Sequence, residues 1–127
     1  MLLLDSHVAL WVMDDNPRLG RQARTRIGAA DRVHVSAATV WELTIKAMLG
    51  RLVVPDRLSE RIEQQGLTLL SIAAQDTEGI RGYPELVRHD PFDRLIVAQA
   101  ERAGMQMLTA DTVLLDLKRP FILDARE

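Results

Sequence analysis

Asp90-Pro91-Phe92-Asp93-Arg94-Leu95-Ile96-Val97-Ala98-Gln99-Ala100-Glu101-Arg102-Ala103-Gly104 runs directly into Met105-Gln106-Met107-Leu108-Thr109, and Asp111 follows after one further residue. Pro91 suits the first position of a helix, where its missing N–H would have had no partner, and Asp90 before it is a natural cap. Gly104 accepts the left-handed backbone that ends many helices. The stretch therefore predicts a helix ending at Ala103-Gly104, a turn, and a short apolar strand from Met105 to Thr109 that leads to an acid.

The same unit recurs on the N-terminal side. Met1 to Leu4 reads as a buried strand that ends at Asp5, followed by a helix over Ser6 to Met13. A second helix is expected from about Leu19 to Ala30, and a strand over Arg32 to Val35. Ser36 is a good cap for a helix reaching Leu49, with Gly50 as its stop. Asp56 is expected to cap another helix ending near Gln65-Gly66, before a strand over Leu67 to Ile72. Ala73 to Arg81 reads as a short helix and Gly82 to His89 as a loop or broken helix. Asp111 can cap a short final helix, and Phe121 to Leu123 reads as an edge strand. Short apolar strands alternating with helices predict an α/β fold: three layers, with a central, mainly parallel sheet flanked by helices. Without repeats, low-complexity tracts or linkers, residues 1–127 are expected to form one domain.

Composition narrows the possibilities. With no cysteine there is neither a disulfide framework nor a thiolate metal site, which fits a reducing cytoplasm. The N-terminal apolar run lacks a basic leader and is too short for a signal peptide, and no segment is long enough to span a membrane. The formal net charge of -2 argues against a tight, sequence-independent duplex binder. Arg18, Arg21, Arg24 and Arg26 lie close together, a pattern read first as a solvated helix face.

In open α/β sheets, chemistry gathers at the carboxyl ends of the strands. Asp5 follows the first strand and Asp111 the fourth; Glu42 lies in the second turn of the helix after strand two, and Asp93 in the first turn of the helix opened by Asp90-Pro91. Each acid alone has a plainer explanation: a turn residue for Asp5, an i,i+4 pair with Lys46 for Glu42, a helix-dipole acid for Asp93 and a cap for Asp111. Together they would repel unless protonated or bridged by a cation. An all-oxygen set suits Mg²⁺ or Mn²⁺.

These residues resemble a known family. Leu2-Leu3-Leu4-Asp5-Ser6-His7, Ser36-Ala37-Ala38-Thr39-Val40-Trp41-Glu42-Leu43, His89 through Ala100 and Leu108-Thr109-Ala110-Asp111 are similar in order and spacing to PIN-domain ribonucleases, and more narrowly to the VapC toxins of bacterial toxin–antitoxin pairs. The resemblance spans nearly the whole chain. It implies a metal-dependent endoribonuclease whose four acids fall on Asp5, Glu42, Asp93 and Asp111, with Asp5 and Asp93 as the first expected direct ligands. It implies Mg²⁺ or Mn²⁺, an RNA substrate cut to a 5′-phosphate and a 3′-hydroxyl, a cognate antitoxin protein, and a homodimer. Ser6 matches the family's small hydroxyl residue. His7 stands where many members have Asn, and His34 and His89 receive no role. Lys46 either balances the acids or pairs outside them with Glu42. Arg94 contacts substrate or antitoxin, or pairs with Asp90.

Two other classes compete: a non-catalytic PIN-like module that binds RNA or a partner, and a receiver-like domain phosphorylated on Asp5. The receiver reading lacks the paired acids expected after its first strand. Within the helix opened by Pro91, a capping Asp90 is expected to be poorly free to bind metal, whereas Asp93 is expected to point into the cleft.

Overall fold

A computed structural model describes all 127 residues, Met1–Glu127. The strands are β1 (Leu2–Leu4), β2 (Val33–Ser36), β3 (Thr68–Leu70), β4 (Gln106–Thr109) and β5 (Ile122–Asp124). The helices are α1 (Ser6–Met13), α2 (Arg21–Ala29), α3 (Ala37–Met48), α4 (Leu58–Gln64), α5 (Ala74–Gly79), α6 (Pro91–Ala103) and α7 (Thr112–Leu115). The strands form one sheet in the order β3-β2-β1-β4-β5, and every pairing is parallel. The expected α/β architecture is present.

Central β1 explains why so short a strand reads as continuous apolar sequence. Successive side chains of a strand point to opposite faces. Leu2 and Leu4 join one apolar cluster with Val8, Ala9, Val35, Leu43 and Ile62, while Leu3 joins the other with Ile96, Val97, Ala100 and Met107. Both faces of the sheet are covered, so no position on β1 can be polar.

The helix over 91–103 forms as expected. Asp90 Oδ1 accepts from the N–H groups of Phe92 (2.8 Å) and Asp93 (3.3 Å), and Gly104 ends the helix at φ 68. Gln99, on its buried face, accepts from Ser36 Oγ and donates to the Ser71 carbonyl at 3.2 Å. This one side chain fixes α6 against the carboxyl ends of β2 and β3, which sets the position of Asp93.

Some expected boundaries shift. Asp56 does not cap α4; Arg57 does, in the left-handed region at φ 56 and with no side-chain capping bond. Arg57 also approaches Glu60 at 3.8 Å. Residues 80–82 and 84–86 form two 3-10 turns, so the segment before His89 is broken helix. Arg94 does not pair with Asp90. Its Nη1 donates to the Val87 carbonyl at 3.1 Å, fastening the end of the second 3-10 turn to α6.

Candidate active site

The sheet and caps bring the four acids to one edge of the molecule. Asp5 is 2 % exposed, caps α1 through an Oδ1 bond from Val8 N (2.8 Å), and accepts from Thr109 Oγ1 at Oδ2. Thr109 Oγ1 also accepts from Asp111 N at 3.0 Å, so one hydroxyl couples the ends of β1 and β4. Asp111 caps α7 through Oδ1, with Val113 N at 2.9 Å. Glu42 is buried: Ser6 Oγ donates to its Oε1 at 2.6 Å and Lys46 Nζ meets its Oε2 at 2.8 Å. Thr39 Oγ1 stands 3.0 Å from Ser6 Oγ and completes that small network. Lys46 therefore pairs with Glu42 and brings its charge to the rim of the cluster at the same time.

Asp93 sits at the centre. Its carboxyl groups with Glu42 and Asp90 on one side and with His89 and Asp111 on the other, each set of three placing ligand atoms within 4.8 Å of one another. Burial first, then the charges of Asp5, Asp90, Glu42 and Asp111, push the Asp93 carboxyl up to about 7. Burial also raises Asp5, against the bonds from Thr109 and Val8 and the nearby charge of His7. A carboxyl raised first by burial and then by the four carboxylates around it marks a site short of positive charge. A divalent cation suits that shortage and the mainly oxygen donor set.

Capping does not separate ligands from structural acids, contrary to the expectation for Asp90. Asp5, Asp90 and Asp111 each cap a helix with Oδ1. A capping carboxylate still has a second oxygen, and Asp90 approaches Glu42 and Asp93 closely enough to be grouped with them. Exposure distinguishes it instead: Asp90 is at the surface, whereas Asp5 and Glu42 are buried.

A model of the PIN domain family matches residues 2–120. The chain belongs to the PIN-domain family. This PIN domain is 34 % identical over 126 residues to Ribonuclease VapC22 of Mycobacterium tuberculosis (strain ATCC 25618 / H37Rv), covering 94 % of this chain and 93 % of that protein. Among solved structures it is similar to a DNA-bound VapBC from Salmonella typhimurium at 25 % identity and a TM-score of 0.65, over 97 % of this chain and 96 % of that one. A toxin–antitoxin complex from Klebsiella pneumoniae has the same fold at 14 % identity and a TM-score of 0.65, with the same two coverages.

Sequence reading of this PIN domain missed two polar residues of the site. His89 was given no role, yet its Nε2 lies 3.1 Å from Asp93 Oδ2 and 3.0 Å from Asp111 Oδ2. Thr109 is the second: its hydroxyl bonds to one acid and to the backbone of another. The available signals were the position of His89 one residue before the capping Asp90, and that of Thr109 as a polar end to an apolar strand. His34, by contrast, is buried in β2 with Nδ1 3.3 Å from the Leu2 carbonyl, remote in role from the acids.

Proposed function

We propose that this PIN domain, acting as one unit over residues 1–127, is a VapC-type toxin ribonuclease. It hydrolyses RNA phosphodiester bonds with Mg²⁺ or Mn²⁺ held by Asp5, Glu42, Asp93 and Asp111. The observation that carries this reading is the position of Asp93, whose carboxylate lies within 4.8 Å of ligand atoms of Glu42 and Asp90 and likewise of His89 and Asp111. The identity to a named VapC ribonuclease supports the substrate class.

Asp93 and Asp111 offer half-buried oxygens, whereas both oxygens of the buried Asp5 already accept hydrogen bonds, from Val8 N and Thr109 Oγ1. Glu42 is oriented by Ser6 and Lys46, so its carboxylate is fixed before any ion or substrate arrives. Bound there, the cation supplies Lewis acidity toward a water and the phosphate oxygens. Hydrolysis adds the water oxygen to phosphorus, breaks the P–O3′ bond and leaves a 5′-phosphate and a 3′-hydroxyl. Thr109 keeps Asp5 and Asp111 in register, and α6 holds Asp93 over them through Gln99. To serve as a ligand, Asp93, whose carboxyl burial and its acidic neighbours raise, would have to give up its proton.

The reading includes a cognate antitoxin and a homodimer. Trp41 and Met48 are 59 % and 82 % exposed on α3, so they are not core. Trp41 stands edge-to-face on Phe92 at 4.9 Å, beside an apolar pocket shared with Ile80 and Leu95, a surface of the kind that protein partners cover. No helix is long and apolar enough to cross a membrane.

The deciding experiment is a metal titration. The purified protein is expected to cleave single-stranded RNA with Mg²⁺ or Mn²⁺ and to stop in excess chelator. Undiminished cleavage in chelator, with contaminating nuclease excluded, overturns the metal reading.

A further inference from the structure

A cavity opens beside Asp111. It measures about 480 Å³ and is lined by His7, Trp11, Arg18, Asp111, Thr112 and Arg126 together with Ala110. Asp111 thus belongs both to the acid cluster and to the wall of a cavity that carries two guanidinium groups, an imidazole and an indole.

From these neighbours we infer a nucleotide subsite for the strand being cut: Arg18 and Arg126 hold the phosphate next to the scissile one, and Trp11 stacks on the base between them. The inference deepens the ribonuclease reading and rests on it.

Of the arginines clustered after residue 17, Arg24 is committed to the fold. It bonds Asp15 at 2.6 Å and the carbonyls of Leu19 and Asn16 at 3.1 and 2.8 Å. Arg18 is different. Its backbone N–H bonds Asn16 Oδ1, but its side chain makes no hydrogen bond or ion pair within the chain, and it faces the cavity. Arg126 engages Asp124 through Nε and Nη2, at 2.9 and 2.8 Å, which leaves Nη1 for a ligand. The two meet because Gly20 N bonds the Ala125 carbonyl at 2.8 Å, laying the last residues beside the turn that carries Arg18. A side chain at position 20 would collide with the backbone of Arg126 and Glu127, so glycine is required for this approach.

The chemistry fits a nucleotide better than a peptide. Guanidinium groups present a planar fork to phosphate oxygens. An aromatic face accepts any base, with little regard to sequence. His7 adds an imidazole to the same wall. In a chain of net charge -2, these groups give the acidic centre a cationic border on one side, where a polyanion can dock.

The test separates binding from cleavage. Binding of a short fluorescein-labelled single-stranded RNA is measured with Ca²⁺ in place of Mg²⁺ or Mn²⁺, for the wild type, Arg18→Glu and Arg18→Lys. Arg18→Glu is expected to weaken binding roughly tenfold or more, the loss of one charge-assisted contact. It should also reduce the slope of log affinity against log salt by about one, with Arg18→Lys restoring most of the slope. In a Trp41→Phe background Trp11 is the sole tryptophan, and its emission is expected to be quenched by the RNA. Unchanged RNA affinity in Arg18→Glu, or no RNA binding by the wild type, overturns the subsite. So does a variant that keeps RNA but loses a co-expressed antitoxin, since the cavity is then a protein interface. Arg18-dependent binding without any cleavage in Mg²⁺ or Mn²⁺ overturns the ribonuclease reading and leaves the subsite standing.

Discussion

His89 Nε2 lies 3.1 Å from Asp93 Oδ2, and the same nitrogen lies 3.0 Å from Asp111 Oδ2. Nε2 thus bridges an oxygen of each of the two acids. The imidazole thereby keeps two carboxylates apart in the absence of metal. His89→Ala is expected to lower the melting temperature in chelator more than in saturating Mg²⁺, because the cation takes over the separation. A loss of equal size under both conditions would show that the ring acts only through packing.

Asp93 sets the pH dependence of the metal-free protein. Burial, with the charges of its acidic neighbours, pushes its carboxyl up to about 7 in the fold, from an ordinary 3.8. Between those values the folded state binds more protons than the unfolded one, so this group's contribution to stability falls as pH rises. Asp5, also raised by burial, adds in the same direction. In chelator the melting temperature is therefore expected to be higher near about pH 5 than near about pH 8, with Mg²⁺ recovering much of the difference at the higher pH. A melting temperature that rises across this window in chelator contradicts the assignment.

Asp90 and Asp93 stand three residues apart and differ in burial. Asp93→Asn is expected to remove most cleavage and, in chelator near neutral pH, to stabilise the fold by relieving repulsion. Asp90→Asn keeps the cap, since asparagine accepts the same backbone bonds, and is expected to retain most activity. Asp90→Ala loses the cap and about 1 kcal/mol of stability. Thermal melts and metal-dependent cleavage of one RNA check all three; an inactive Asp90→Asn beside an active Asp93→Asn reverses the roles.

Thr109→Val keeps the shape of the strand end and removes its hydroxyl. Asp5 Oδ2 then loses its donor, and Asp111 N its acceptor. The expected cost is about 1–3 kcal/mol in denaturant unfolding, since both groups are left in a buried or half-buried setting. Cleavage falls with it, and Thr109→Ser restores both. Full activity in the valine variant would mean that backbone geometry alone holds the two acids in register.

Sequence by itself determined the α/β alternation and the helix over 91–103 with its capping by Asp90, and it pointed to Asp5, Glu42, Asp93 and Asp111 as candidate site acids. These are written in local signals: apolar runs of strand length, a Pro at a helix start, a Gly at a helix end, and acids placed just after strands. Asp56 shows the limit of such signals, because a left-handed Arg57 starts α4 in its place. Only the tertiary structure decided which side chains meet across the sheet. The sheet order β3-β2-β1-β4-β5 places Thr109 beside Asp5, although 104 positions separate them in the chain. The 3-10 turns and α6 swing His89 between Asp93 and Asp111, and the Gly20–Ala125 bond carries Arg126 to Arg18. Contacts of this kind leave no periodicity in the chain, because they depend on how whole elements pack rather than on the spacing of residues within one.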